Sequence, residues 1–265
     1  MSDQERAPDI YLLGSGIYSF HDMTLLTQHV LVEKCRTVYC LHDLPSLEKY
    51  LSKLAPRVEN LMPVYYRDGR DRSDIYNDIV NHVMATPPDK RPAALLLHGH
   101  PLVYSTISQR LIAACDAAGI QLEILPGVSS LDRMFVDLRL DIGEDGVQIY
   151  NAAGILARET VLNPAAGCFI LQIGALTGAA TRAATSRPEE IVQLKNYLLK
   201  FYPAEHRVSV VESAVETGFQ SRVTEIELER LDELDAAFNY NASMYLPPVT
   251  KQALTPKPAI LSSRP

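Results

Sequence analysis

Apolar residues along the chain fall into two patterns, short unbroken runs and helically spaced stripes. The clearest run is Ala93-Ala94-Leu95-Leu96-Leu97, which stops at His98-Gly99-His100-Pro101. Five apolar residues in a row fit a strand covered on both faces, as in the middle of a parallel sheet. Helical spacing resumes at Ile107, Leu111, Ile112 and Cys115, so the unit reads strand, tight turn, helix. In open α/β sheets ligands bind beyond the carboxyl ends of strands. His98, Gly99 and His100 therefore stand where a small molecule would be held. A plain βα corner, with Gly99 there for its backbone, fits the same pattern.

The same alternation organises the rest of the chain. Ile10 to Leu13 predicts a strand running into Gly14-Ser15-Gly16, where the absence of a side chain lets backbone approach a ligand. A helix follows, capped by Asp22 or Thr24, with Leu25, Leu26, His29 and Val30 on one face. Tyr18 and Ser19 occupy the region of the third glycine of a dinucleotide fingerprint, which argues against a nicotinamide site. Thr37 to Leu41 predicts a strand and Pro45 to Leu54 a helix. Asp71 or Ser73 caps a helix with the stripe Ile75, Ile79, Val83 and Met84, and Arg72 and Tyr76 share a face if that helix starts early. A solvated Arg- and Asp-rich turn with tyrosine at its rim fits that stretch too.

Ile120 to Leu125 is a further strand, ending in Pro126-Gly127-Val128-Ser129-Ser130. Ser129 or Ser130 caps a helix carrying Leu131, Met134, Phe135 and Leu138, and neither lies in a nucleophile-elbow motif. Asp141 to Gly146 reads as a turn, and a second βα series follows. Its strands are Val147 to Asn151, Cys168 to Gly174 (interrupted by Gln172), Arg207 to Val211 and Asn239 to Leu246, and its helix is Glu189 to Phe201. The expected fold is two α/β domains with a cleft between them, residues 8–127 and 128–250, followed by a loose tail at 251–265.

Composition narrows the partners. The 265 residues are 47% hydrophobic, with a formal net charge of -7, which argues against nucleic acid and anionic membrane. No apolar run approaches the length that crosses a bilayer, and Met1 to Pro8 does not read as a signal peptide. Cys35, Cys40, Cys115 and Cys168 are widely spread, which fits a reduced cytoplasm. His98 and His100 alternate, but no third metal ligand stands at a readable spacing.

Four motifs in order, Gly14-Ser15-Gly16, Gly99-His100-Pro101, Pro126-Gly127-Val128-Ser129-Ser130 and Gln172-Ile173-Gly174, resemble the tetrapyrrole methylase superfamily over residues 8 to 250. That resemblance implies a two-domain methyltransferase that uses S-adenosylmethionine and releases S-adenosylhomocysteine. It implies cofactor contacts from Gly14, Gly16, His98, Gly99, His100, Val103, Ser129, Ser130, Gln172, Ala242 and Ser243. Gly-His-Pro, where corrin methylases usually carry Gly-Asp-Pro, resembles the borosin branch, which methylates backbone amide nitrogens of peptides. Tyr66, Arg72 and Tyr76 match that branch's Tyr, Arg and Tyr, as does Phe135 to Asp141. His98, Leu102 and Leu171 replace the Tyr, Gly and Trp common there, changes that bear on substrate choice more than on fold. The resemblance also implies a homodimer.

The chemistry agrees. An amide nitrogen is a poor nucleophile because its lone pair is delocalised into the carbonyl. Tyr titrates near ~10, and an adjacent guanidinium favours the phenolate needed to remove the amide proton. Val249 to Pro265 is too short to reach a cleft and thread through it at ~3.3–3.6 Å per residue. The expected substrate is therefore a separate precursor peptide docked by a leader region. A corrin-type small-molecule methyltransferase and a cofactor-binding protein without turnover are the alternatives.

Overall fold

The computed structural model describes residues 7–55, 57–67, 70–143, 145–176, 186–234 and 241–249. The first half contains β1 (Ile10–Gly14), α1 (Leu25–Glu33), β2 (Thr37–Leu41), α2 (Pro45–Leu54), β3 (Val58–Asn60), α3 (Met62–Tyr65), α4 (Arg72–Met84), β4 (Ala93–Leu97), α5 (Thr106–Ala118) and β5 (Leu122–Leu125). Its strands form one parallel sheet in the order β3-β2-β4-β1-β5. Each strand points alternate residues to opposite faces. Leu95 and Leu97 meet Ile75, Ile79 and Leu111 of α4 and α5, while Ala94 and Leu96 meet Leu31, Leu47 and Leu51 of α1 and α2. Because helices cover both faces, β4 is apolar without a break. Burying each such leucine contributes about 1.5–3 kcal/mol.

The connection leaving β1 runs one way along the sheet, and the connection leaving β4 runs the other way. β1 and β4 are neighbours in register, Gly14 beside Leu97. A topological switch point therefore lies between their carboxyl ends, where such sheets open a crevice.

The second half contains α6 (Ser130–Leu138), β6 (Val147–Asn151), α7 (Ala152–Arg158), β7 (Gly167–Leu171), α8 (Pro188–Leu198), β8 (Arg207–Glu212), β9 (Arg222–Glu227) and β10 (Ser243–Leu246). Its sheet order is β6-β7-β10-β8-β9. Only β6 and β7 pair in parallel, across α7; the other pairs are antiparallel. The expected second βα series is thus a single βαβ unit continued by antiparallel strands. On one face of this sheet α6 buries Met134 against Phe169, Leu171 and Tyr245. On the other, α8 buries Ile191, Leu194 and Leu198.

Two expectations need correction, and one strand had no counterpart among them. On α1 the buried residues are Thr27, Val30 and Leu31, whereas Leu25 is 84% exposed. Apolar residues surround that helix, so spacing alone does not select its face; Thr24 caps it by accepting from the Thr27 N–H. Gln172 does not interrupt a strand, because β7 ends at Leu171 and Gln172 turns out of it with φ +60°. β9 was not anticipated, since Arg222-Val223-Thr224-Glu225-Ile226-Glu227 is an exposed and charged edge strand. The start of the last expected strand, at Asn239, and the tail beyond Val249 lie outside the described residues. Among the described residues no helix is long and apolar enough to cross a membrane.

Candidate active site

Three glycines bring the strand ends together. A Cβ on Gly14 would lie 2.5 Å from the Gly99 carbonyl oxygen and 2.8 Å from the Gly127 nitrogen. Gly16 and Gly99, both at φ +78°, exchange backbone hydrogen bonds of 3.2 and 2.8 Å. Gly14 and Gly16 therefore serve backbone approach between strand ends, and neither lines the cleft beside them.

That cleft has a volume of about 130 Å³ and is walled by both halves. His98, Gly99, His100 and Val103 come from the turn after β4, Ser130 from the start of α6, and Gln172 and Ser243 from the second sheet. Ser129 is engaged in a capping box with Asp132, donating to and accepting from it, so its hydroxyl is held by the helix end. Ala242 is buried, and its carbonyl accepts from the Ile173 N–H. The sequence reading missed Ile17, Tyr104, Ser213, Val215 and Asn241, which also face this cleft. Single residues in loops carry no periodic signal, and the positive φ of Tyr104 (+50°) leaves no mark in the sequence.

A second pocket of about 480 Å³ adjoins the first, sharing Tyr104 and Gln172 with it. Arg72 and Tyr76 line it from the first two turns of α4, facing Asn151 and Ala153. Asp71 caps that helix by accepting from the Ser73 N–H at 2.7 Å, so Arg72 opens the helix and shares a face with Tyr76. Arg110 of α5 holds the same turn. It donates to the Asn77 side chain at 2.8 Å and the Ser73 hydroxyl at 2.7 Å, and lies 5.8 Å from the Tyr76 ring centroid. Tyr66 follows α3, half-buried against the core that also borders Tyr76, and lines neither pocket. The structure brings Arg72 and Tyr76 together and leaves Tyr66 beside them.

The two halves are clasped over the cleft. Ser19 donates its N–H to the Val215 carbonyl at 2.9 Å, and Gly218 donates to the Tyr18 hydroxyl at 3.3 Å. Burial alone would raise the Glu216 carboxyl. Hydrogen bonds from the Ser46 hydroxyl and the Thr217 and Ser46 N–H groups, with His21 nearby, outweigh it and hold the group below 4.5. Tyr104 donates to the Ile149 carbonyl at 2.9 Å, and burial raises its phenol.

This arrangement matches a known family. The model for the Tetrapyrrole (Corrin/Porphyrin) Methylases matches residues 9–231. The chain belongs to that family. Among curated proteins, the chain is 27% identical over 93% of its length to a methyltransferase and gymnopeptide precursor from Gymnopus fusipes, covering 59% of that protein. It is 28% identical over 94% of its length to a methyltransferase and type II borosin cyclic peptide precursor from Phlebiopsis gigantea, covering 44% of it. The chain thus spans about half the length of the curated relatives it matches. Among solved structures, uroporphyrin-III C-methyltransferase from Thermus thermophilus aligns with a TM-score of 0.64 at 20% identity, over 90% of this chain and 91% of that one. A form of that enzyme complexed with S-adenosyl homocysteine aligns at a TM-score of 0.57 and 19% identity, over 90% and 91% of the two chains. These likenesses establish the shared two-domain fold.

Proposed function

We propose that the protein is an S-adenosylmethionine-dependent methyltransferase that methylates backbone amide nitrogens of a peptide. The observation that carries this is the junction of two pockets at Tyr104 and Gln172, one built on the Gly99 turn and the other holding Arg72 and Tyr76. The first suits the cofactor. Its wall at Gly99 is bare backbone, and its polar groups, from His100, Gln172 and Ser243, match a ligand rich in hydrogen-bonding atoms. When bound there, S-adenosylmethionine supplies an electrophilic methyl group.

The chain's own residues supply the rest. The Tyr76 phenolate takes the amide proton, which localises the lone pair on nitrogen and builds charge on the carbonyl oxygen. The Arg72 guanidinium stabilises that charge and favours ionised Tyr76. Tyr66, packed against the same core as Tyr76 but outside the pocket lining, supports the placement of this pair. Leu102 and Tyr104, each nearly half exposed, form an apolar rim that an extended segment can cross. Such a rim suits a strand arriving from a second molecule, so we infer that a separate peptide with a leader region is accepted.

The curated relatives carry methyltransferase and precursor in one protein. The test is to offer the enzyme methyl-labelled cofactor with a panel of apolar peptides or with a tetrapyrrole. Label on a peptide supports the reading. Label on the tetrapyrrole alone favours a corrin-type enzyme, and label only on the enzyme's own chain removes the separate-peptide part.

A further inference from the structure

Gln172 stands where both pockets meet, and its backbone is held in the left-handed region at φ +60°. A non-glycine residue there is strained and persists only where its surroundings enforce it. Here the enforcement is visible. The Gln172 N–H donates to the Ser243 hydroxyl at 3.4 Å, its carbonyl accepts from Ala175, and its side-chain oxygen accepts from Asn151 Nδ2 at 2.6 Å.

The orientation of both amides follows from one backbone group. The Gly154 N–H, at the start of α7, can only donate, and it lies 3.2 Å from Asn151 Oδ1. The other end of Asn151 must then be its NH2. That end faces Gln172, so the facing atom of Gln172 must be its oxygen. Gln172 Nε2 is turned the other way, and it makes no hydrogen bond among the described residues. Turned away from Asn151 at the junction of the two pockets, this NH2 group can donate to a ligand bound there.

We propose that Asn151 is a positioning residue that locks Gln172 with its Nε2 donor presented to an acceptor atom of the bound cofactor. The helix cap thereby fixes the polarity of the site through a relay from Gly154 to Asn151 to Gln172. This rests on the cofactor reading given above.

S-Adenosylhomocysteine is the probe, and calorimetry on the full chain without peptide is the measurement. Asp and Ser both cap helices well, so Asn151→Asp and Asn151→Ser should keep the wild-type melting temperature. They differ at Gln172. Asp offers only acceptors, so Gln172 flips, gives its NH2 to residue 151 and turns its oxygen to the cofactor. Asn151→Asp should weaken binding at least about tenfold, the scale of leaving buried polar groups mismatched. Ser caps α7 but is too short to reach Gln172, so Asn151→Ser should lose only a few-fold. Gln172→Glu, which replaces the donor by an acceptor, should match Asn151→Asp.

Wild-type affinity in Asn151→Asp, with Gln172→Glu weakened, overturns the positioning role. Equal losses in the Asp and Ser variants, or a lowered melting temperature in both, reduce Asn151 to a helix cap and overturn it too. If wild-type protein fails to bind S-adenosylhomocysteine, the cofactor reading itself falls.

Discussion

Two residues in the second pocket carry the proposed chemistry, and each can be removed with little change of volume. Tyr76→Phe deletes one hydroxyl from a half-buried ring and should leave folding and S-adenosylhomocysteine affinity intact. Turnover on a methylated peptide should fall about 10²-fold or more, the scale of losing a general base. Arg72→Lys should also be impaired, because lysine lacks the planar guanidinium fork. Tyr66→Phe should lower turnover less than Tyr76→Phe, since Tyr66 lies outside the pocket lining. Single-turnover rates of the three variants check this; equal wild-type rates in both Tyr→Phe variants would contradict the assignment of the base. The glycines make a second residue-level prediction. Gly14→Ala places a methyl against backbone atoms at 2.5 and 2.8 Å, so it should cost about 1–3 kcal/mol and lower the melting temperature by several degrees. Gly99→Val puts a branched side chain at φ +78° and should abolish cofactor binding, read by calorimetry. Unchanged affinity would remove Gly99 from the cofactor site.

At the scale of elements, the clasp between the β8–β9 loop and the first half is sensitive to pH through Glu216. Its folded pKa lies below 4.5, so the carboxylate stabilises the clasp at pH values above the unfolded pKa. That contribution fades as pH falls through the lowered folded value. Glu216→Gln should therefore melt below wild type at pH 7 and show a smaller difference near pH 3, in paired thermal melts. A gap that widens on acidification would contradict the sign. The elements also separate what the sequence makes legible from what it hides. β4 and its turn, the Asp71-capped α4 and the Ser129-capped α6 are readable because apolar periodicity and capping chemistry are local. The antiparallel pairing of the second sheet is not readable, because pairing partners are set by tertiary packing. β9 hides for a related reason, since an exposed edge strand needs no apolar alternation. Gln172 misleads because the apolar run Cys168 to Leu171 precedes it and Ile173 follows, and its left-handed turn leaves no mark in the sequence. Asn151 and Tyr104 were missed because each reaches a partner distant in sequence, Gln172 and Ile149.

For the whole molecule, the fold assigns the halves different tasks. The parallel sheet opens its switch point to the first cleft, and the mixed sheet supplies the opposite wall and part of the second pocket. α1 turns Leu25 and Leu26 outward, apolar surface that suits a second copy, and we expect a homodimer in sedimentation at micromolar concentration. A monomer there would contradict it. The central claim is that methyl groups are transferred to backbone nitrogen. Its most direct test is tandem mass spectrometry of peptide recovered after reaction with trideuteromethyl-labelled cofactor. The account predicts label retained on backbone fragments whose side chains have no nucleophile, such as Val, Ile and Gly, and its loss in the Tyr76→Phe enzyme. Label confined to side-chain nitrogen, oxygen or sulfur, or equal labelling by Tyr76→Phe, would contradict it.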